Sequence, residues 1–342
     1  TKRFTKDQIE KKFSKTISKL TNFHFNRCAE YKKILKVKKY NLKNDVLEKQ
    51  PYLPATLFKE KILKSVNKKK IVKILNSSGT SKMNVSKIYL DENNAKNQKI
   101  VLSKILKKTL GEERLPMLII AQNPKDISYS SHLSAQYAAI FGFSIFGQNH
   151  TYLLDDKNKI NYKILNTFLK KFSKKKFLVF GFTSSIYQHL ICNLSISKIN
   201  NSFNNAILLH GGGWKKMIEK KISNSIFRNR LVKKMNIKKI YNYYGLVEQT
   251  GSIFLECPKC NCFVTTPYSN IIIRDNSFKS IKSGKGIIQL VSILPTSYPG
   301  HSLLTQDEGE IIENNCSCKK FGKRFVVHGR VEQSEIRGCS DI

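Results

Sequence analysis

Long apolar runs are absent from this chain of 342 residues. The longest mostly apolar run, from Tyr137 to Gly147, is well short of the roughly 18 residues that a membrane-spanning helix requires. The chain begins with Thr1-Lys2-Arg3 and shows no apolar signal region there. The sequence therefore predicts no membrane span and favours a cytoplasmic location.

Acidic residues and arginine are also scarce, whereas lysine is abundant. The chain has 61 basic and 24 acidic residues, a formal net charge of +37, and 9 of the basic residues are arginines. The lysines are spread along the chain, and runs of three occur at Lys68–Lys70 and Lys174–Lys176. Because specific nucleic-acid sites usually combine arginine with aromatic residues, this pattern argues against such a partner. The positive field still favours anionic ligands.

Disulfides are not expected, because the eight cysteines come without a secretion signal and so indicate a reducing compartment. Five of the cysteines form two short clusters, Cys257-Pro258-Lys259-Cys260-Asn261-Cys262 and Cys316-Ser317-Cys318. Two close groups of thiols are typical of a tetrahedral structural zinc site. The four ligands would be drawn from Cys257, Cys260, Cys262, Cys316 and Cys318. The alternative is that these thiols are free and buried.

A hydroxyl-rich turn follows the apolar run Ile71 to Leu75. It reads Asn76-Ser77-Ser78-Gly79-Thr80-Ser81-Lys82-Met83-Asn84-Val85-Ser86-Lys87. Gly79 allows close approach of the backbone to a ligand, and the hydroxyls and amides around it favour phosphate, with Lys82 and Lys87 adding charge. The spacing is not that of a Walker A loop. A plain Ser/Gly-rich turn is the alternative.

The apolar segments predict an α/β fold in which helices alternate with strands. Predicted strands at Leu115–Ala121, Phe177–Phe180, Ala206–Leu209 and Ile240–Tyr243 alternate with predicted helices at Lys96–Leu110, Ser131–Phe141, Ser184–Leu194 and Trp214–Met235. Such alternation is typical of a doubly wound, mostly parallel sheet, whose ligands lie beyond the carboxyl ends of the strands. We expect Ile71–Leu75, before the hydroxyl-rich turn, to be one of these strands. From Ile271 onward, shorter strands and closely spaced turns predict a smaller antiparallel subdomain. The predicted domains are a helical leading region 1–70, an α/β core 71–270, a β-rich subdomain 271–328 and a hinge-like tail 329–342.

Four motifs follow one another along the chain: Ser77-Ser78-Gly79-Thr80, Tyr244-Gly245-Leu246-Val247-Glu248, Thr305-Gln306-Asp307 and Gly329-Arg330. In this order they resemble the nucleotide motifs of the adenylate-forming (acyl-AMP ligase) superfamily. The resemblance is closer to the acyl-protein synthetase family, the long-chain-fatty-acid–luciferin-component ligases. It extends over Leu53-Pro54-Ala55-Thr56-Leu57-Phe58-Lys59, Ser86-Lys87-Ile88, His210-Gly211-Gly212-Gly213-Trp214-Lys215 and Ser334-Glu335-Ile336-Arg337-Gly338-Cys339-Ser340-Asp341.

The resemblance implies a binding site for ATP and Mg²⁺. It implies that Ser77, Ser78, Gly79, Thr80, Ser81 and Lys87 hold the phosphates, and that Gly211, Gly212 and Gly213 leave room for the base. Tyr244, with Gly245 after it, would stack on adenine, and Asp307 would accept from the ribose hydroxyls. Glu248 would hold Mg²⁺, and Arg330 would contact the nucleotide.

The same resemblance implies the reaction. A fatty or related carboxylic acid would be activated as acyl-AMP and the acyl group passed to the Cys339 thiol, for delivery to an acyl reductase or acyltransferase subunit. Relatives that form coenzyme A thioesters carry a mobile C-terminal domain after the Gly-Arg motif, whereas 12 residues follow Arg330 here, so we expect that domain to be absent. Two alternatives are transfer to a carrier-protein or coenzyme A thiol, and a non-catalytic, zinc-stabilised protein that binds a nucleotide or another anion.

Overall fold

The computed structural model describes residues 5–77, 85–126, 135–199, 201–214, 222–313, 316–318 and 322–331. These residues belong to two compact units. We call Leu106–Tyr244 the parallel unit, and Thr1–Ile105 together with Gly245–Ile342 the antiparallel unit. The division differs from the sequence-predicted bounds, because the predicted core 71–270 includes parts of both units. Among the described residues, no helix is both long enough and apolar enough to cross a membrane.

The elements are numbered in chain order. Among the described residues, the α-helices of four or more residues are α1 (Lys6–Arg27), α2 (Ala29–Val37), α3 (Leu57–Glu60), α4 (Glu92–Leu110), α5 (Ala135–Phe143), α6 (Tyr162–Phe172) and α7 (Asn224–Met235). The strands are β1 (Leu53–Pro54), β2 (Ile71–Asn76), β3 (Lys87–Asp91), β4 (Leu115–Gln122), β5 (Gly147–Leu154), β6 (Phe177–Phe182), β7 (Ala206–Gly211), β8 (Lys239–Tyr244), β9 (Phe254–Glu256), β10 (Phe263–Val264), β11 (Ser269–Arg274), β12 (Ser280–Ile281), β13 (Lys285–Ser292), β14 (Ser302–Ile312) and β15 (Arg324–Arg330).

The parallel unit is built on a sheet in the order β5-β4-β6-β7-β8, with every neighbouring pair parallel. Every residue of β6 and β7 is buried, as expected for apolar strands whose two faces are both covered. Leu165 and Phe168 of α6 and Phe227 of α7 pack in the same core as Val179 and Leu208. The predicted parallel α/β sheet is therefore confirmed.

Two predicted helices of this unit differ in detail. The segment predicted at Ser184–Leu194 is helical, but it winds as a π-helix over Ile186–Asn193 and buries Ile186, Tyr187, His189, Leu190 and Ile191. Helix α7 begins at Asn224 rather than at Trp214, because the Ser223 side chain accepts a hydrogen bond from the Ile226 amide and so caps the helix there. Residues 215–221 of that prediction lie outside the described part of the chain.

The antiparallel unit contains a sheet in the order β12-β11-β13-β14-β15-β10-β9, to which β1 adds by pairing parallel to β14. The neighbours along that order are antiparallel. Phe13 and Ile17 of α1 pack against Ile272 and Val291 of the sheet. The smaller antiparallel part of the prediction is thus confirmed, with the leading helix as one of its covering layers.

The strand before the hydroxyl-rich turn corrects the sequence prediction. We expected Ile71–Leu75 to behave as a strand of the parallel sheet, with the turn at its carboxyl end. Instead β2 and β3 form a separate two-stranded antiparallel sheet, and Asn76 pairs with Lys87 at its end. The physical reason is the length of the connection, since a short turn can join antiparallel strands whereas parallel strands need a crossover.

Two buried histidines stack inside the antiparallel unit. The rings of His24 and His301 lie 5.0 Å apart with an interplanar angle of 23°. His24 donates from Nε2 to the Pro295 carbonyl (3.1 Å), which leaves Nδ1 to accept from the Ser65 hydroxyl (2.7 Å). Burial lowers the pKa of His24 to about 4, against the opposing effect of the Pro295 carbonyl. The pKa of His301 is also lowered, by burial and by the neighbouring His24.

These shifts predict that the protein loses stability in mild acid. A histidine whose folded pKa lies below its unfolded value contributes full stability above pH 6.5, and this contribution is lost as the pH falls. For His24 the loss between pH 6.5 and 5.5 is about 1 kcal/mol in the free energy of unfolding. Urea unfolding at pH 7.5, 6.5 and 5.5 measures this loss. His24→Gln should make the free energy of unfolding depend less on pH, whereas removal of the exposed His150 by His150→Gln should not. An unchanged pH dependence in His24→Gln would contradict the prediction.

Candidate active site

Glu248 is a buried carboxylate in a short turn of the antiparallel unit. It lies in the 3₁₀ turn Val247–Gln249, and its residue is 8% exposed. Burial raises its pKa, while the nearby Ser86 hydroxyl and the cations Lys59 and Arg330 act in the opposite direction. A carboxylate that burial penalises as an anion gains from a bound cation, so this position fits a Mg²⁺ ligand.

Hydrogen bonds from neighbouring residues hold the backbone that carries Glu248. Gln249 donates from Nε2 to the carbonyls of Gly300 (3.0 Å) and Leu290 (3.3 Å), and the Tyr298 hydroxyl accepts from the Thr250 amide (3.3 Å). A side chain at Gly300 would place its Cβ 2.7 Å from the Glu248 carbonyl oxygen, so only glycine fits there. These contacts hold the turn in one conformation and thereby fix where the Glu248 side chain begins.

The ends of the hydroxyl-rich turn are joined by Ser77 and Ser86. The Ser86 amide donates to Ser77 Oγ (2.9 Å), and the Ser77 amide donates to the Ser86 carbonyl (3.1 Å). The Ser77 hydroxyl therefore already accepts one hydrogen bond and retains a proton that it can donate. Lys87 is exposed at the base of the hairpin. The predicted phosphate ligands Ser78, Gly79, Thr80 and Ser81 lie outside the described residues.

Asp307 and Arg330, predicted from separate motifs, are brought opposite each other. They are Cα partners in the β14–β15 ladder. The Thr305 hydroxyl accepts from the Asp307 amide (3.0 Å) and donates to the Ile288 carbonyl (2.8 Å), which fixes the strand around Asp307. Gly329 has a φ of +148°, close to an irregularity in the register of the two strands. The Thr-x-Asp and Gly-Arg motifs thus lie side by side on two paired strands. The charge of Arg330 also acts to lower the pKa of Glu248.

The three-glycine segment belongs to the parallel unit, at the end of β7. A Cβ at Gly211 would collide with the Tyr243 ring, and Gly212 has a φ of +76°, a left-handed conformation that favours glycine. Gly213 has no described atom within 4 Å of where a Cβ would lie, so space is open beside it. The close contact at Gly211 and the backbone conformation at Gly212 are structural reasons for glycine, whereas the space beside Gly213 is open.

Two neighbours of this segment differ in character. His210 is buried, and its Nδ1 lies 2.9 Å from the Thr183 hydroxyl. Burial, with a smaller effect from Arg228, lowers the pKa of His210 to about 3, so it is a neutral, hydrogen-bonded side chain. Tyr244, the predicted adenine partner, is half-buried at the end of β8. Gly245 belongs to the other unit, where a Cβ would approach the Ser252 carbonyl oxygen to 2.7 Å.

We predicted no role for Lys59 or Ser86 from the sequence, yet both lie near Glu248. Lys59 is placed there by β1, which pairs with β14, and by the Ala55 amide, which donates to the Leu304 carbonyl (2.9 Å). Phe58 next to it is buried, and its ring meets the Tyr298 ring edge-on at 5.9 Å. The signal in the sequence was the family-like stretch from Leu53 to Lys59, which contains a lysine but does not reveal what that lysine faces.

The cysteine predictions have different outcomes. Three of the five zinc candidates, Cys257, Cys316 and Cys318, have Sγ atoms within 4.8 Å of one another. The predicted acceptor Cys339 lies outside the described residues.

The model of the acyl-protein synthetase family LuxE matches residues 2–342. The chain belongs to this family. No curated protein matches it. Among solved structures, this family member is similar to an open conformation of 2-hydroxyisobutyryl-CoA ligase in complex with 2-HIB-AMP and CoA, with a TM-score of 0.73 and 13% identity over 96% of this chain and 76% of that one. It is also similar to ATP-bound MatB from Rhodopseudomonas palustris, with a TM-score of 0.51 and 13% identity over 78% of this chain and 49% of that one. The predicted adenylate-forming fold is confirmed.

Proposed function

We propose that this LuxE-family protein activates a fatty or related carboxylic acid as acyl-AMP and passes the acyl group to its own cysteine thiol. The observation that supports this most directly is the buried Glu248 with the Ser86 hydroxyl and two cations around it. A carboxylate beside a hydroxyl and two cations suits the binding of a metal-bridged polyphosphate. Family membership, across nearly the whole chain, supports the same chemistry.

In the first step, an oxygen of the acid attacks the α-phosphorus of ATP, the bond to the pyrophosphate oxygen breaks, and pyrophosphate leaves with the bond electrons. Mg²⁺, when bound, neutralises the charge on the phosphate oxygens. Glu248 would hold this ion, Arg330 would bind the nucleotide, and Asp307 opposite it would accept from the ribose. The hydroxyl-rich turn, closed by Ser77, would orient the phosphates. Positioning and electrostatics provide most of the catalysis in such a reaction.

In the second step, the Cys339 thiolate would attack the acyl carbonyl, a thioester would form, and AMP would leave. Delivery to a reductase or acyltransferase partner would follow, as family membership implies. Transfer to a coenzyme A or carrier-protein thiol is a second candidate, favoured by the likeness to a ligase whose structure contains both an adenylate and CoA. The cofactors we propose are ATP and Mg²⁺.

Exchange of labelled pyrophosphate into ATP tests the first step. We expect exchange that requires both a carboxylic acid and Mg²⁺, and a series of fatty and shorter acids would define the substrate class. If the protein binds ATP without any carboxylic acid, and no acid in the series supports exchange, the result would support a non-catalytic, anion-binding protein instead.

Lys59 provides a separate test of the site. Lys59→Met should lower acid-dependent exchange about tenfold, less than a fully buried stabiliser would, because solvent screens an exposed charge. The matched control is Lys61→Met, which removes an exposed lysine at the end of the same helical turn. The exchange rates of the two variants, measured at saturating ATP, give the comparison. Equal rates would remove Lys59 from the site.

A further inference from the structure

The cysteine cluster has the dimensions of a metal site. Cys257 Sγ and Cys316 Sγ lie 3.9 Å apart, and both are within 4.8 Å of Cys318 Sγ. Four sulfurs bound to zinc at about 2.3 Å in a tetrahedron are separated by about 3.8 Å, which agrees with the observed spacing. These three cysteines form no disulfide with one another, since a disulfide would require about 2.05 Å between sulfurs. The three thiols are therefore spaced for a shared ion.

The candidates for a fourth ligand are the two other cysteines of the turn that carries Cys257, Cys260 and Cys262. That turn joins β9 to β10 and is closed by two hydrogen bonds, from the Asn261 amide to the Cys257 carbonyl and from the Cys257 amide to the Cys262 carbonyl, both 2.8 Å. Cys262 is buried and its thiol donates to the Cys260 carbonyl (3.3 Å). Cys260 is more accessible and stands at the two-residue spacing from Cys257 that is usual for zinc ligands. The geometry favours Cys260 over Cys262.

The surroundings also suit thiolates. The Cys318 amide donates to Cys316 Sγ (3.4 Å), and Arg324 Nη2 lies 3.6 Å from Cys318 Sγ. Four thiolates around Zn²⁺ have a net charge of −2, which amide donors and a guanidinium offset. A cation and an amide already directed at sulfur are the outer contacts that such a site needs.

We propose that Cys257, Cys260, Cys316 and Cys318 bind one Zn²⁺ ion that fastens strand β15 to the β9–β10 hairpin. Phe263 of β10 pairs with Phe325, one residue after Arg324 at the start of β15, so the ion would tie together two adjacent strand ends. Arg330 stands at the other end of β15. Six residues of strand span about 20 Å, so the ion is remote from Arg330 and structural. Four thiolates would also leave it no open position for chemistry.

This role has a consequence for the reaction, and only that consequence depends on the proposed function. If the ion fixes β15, its removal should lower the melting temperature, because binding of a structural metal contributes directly to folding. It should also weaken ATP-dependent activity through Arg330, without abolishing it in the molecules that remain folded.

Metal content of the purified full chain tests the site itself. We expect about one zinc per chain, a chelator-induced fall in melting temperature, and thiolate-to-metal charge-transfer absorption after Co²⁺ replaces zinc. Less than about a tenth of an equivalent, with an unchanged melting temperature under chelator, would overturn the proposal. These measurements use the wild-type chain, so they remain decisive even if a variant fails to fold.

A pair of matched variants tests the ligand set. Cys260→Ser should lose the metal, whereas Cys262→Ser, two residues away in the same turn, should retain it. Loss in both, retention in both, or the reverse pattern would overturn the set. Pyrophosphate exchange measured in parallel separates the two proposals. A zinc-containing chain without acid-dependent exchange would count against the proposed function alone, and an active chain without zinc would count against the metal site alone.

Discussion

Replacing Glu248 by glutamine is expected to lower acid-dependent pyrophosphate exchange by at least about a hundredfold. Removal of one fixed electrostatic stabiliser from an active site typically lowers the rate by about this factor or more. Glutamine keeps the shape of the side chain but removes the charge that would hold Mg²⁺ beside the phosphates. The turn that carries residue 248 is held by Gln249, Tyr298 and Gly300, so the backbone should survive the change. Exchange is measured at saturating acid over a range of Mg²⁺ concentrations.

The control for this change is Glu313→Gln. Glu313 is exposed, follows the end of β14, and has no proposed role, so its replacement makes the same change to a chain that is already strongly basic. Its exchange rate should stay near that of the wild type. Near wild-type exchange in Glu248→Gln as well would remove Glu248 from the mechanism, and a melting curve for each variant shows that the comparison is between folded proteins.

Replacing Cys339 by serine is expected to abolish acyl labelling of the protein while acyl-AMP still forms. A serine hydroxyl is a far weaker nucleophile than a thiolate near neutral pH, and Arg337 two residues before Cys339 favours the thiolate. Cys339 follows Arg330 by nine residues, which can extend at most about 30 Å, so the chain is long enough for the thiol to reach the end of β15 where we propose that the nucleotide binds. Incubation with labelled acid and ATP, followed by hydroxylamine, measures the thioester.

Cys192→Ser is the matched control, because Cys192 is an exposed thiol in the parallel unit. It should accumulate hydroxylamine-sensitive label as the wild type does. Undiminished labelling of Cys339→Ser would move the acceptor elsewhere, and loss of label in Cys192→Ser would identify that thiol instead. Acyl-AMP formation without label on the wild-type protein would favour a coenzyme A or carrier thiol.

Features that depend on local sequence pattern could be predicted before the structure was known. Continuous apolar runs such as Phe177–Phe180 and Ala206–Leu209 predicted parallel strands, because a strand whose two faces are both covered has no solvent-exposed face that would carry polar residues. The order of the motifs from Ser77 to Arg330 predicted the adenylate-forming fold and the family. The cysteine spacing predicted a group of neighbouring thiols, and Cys257, Cys316 and Cys318 do lie together.

Contacts between residues far apart in the chain could not be predicted in this way. The partner of β2 could not be read from its own residues, because pairing depends on the distant β3 and on the connection between them. Likewise, Asp307 faces Arg330 only through the register of β14 and β15, and Lys59 comes near Glu248 only because β1 joins β14. Long-range pairing of this kind is set by the packing of the whole unit. It brings two cations near the buried Glu248 although Lys59 stands 189 positions before it (248 − 59) and Arg330 stands 82 positions after it (330 − 248).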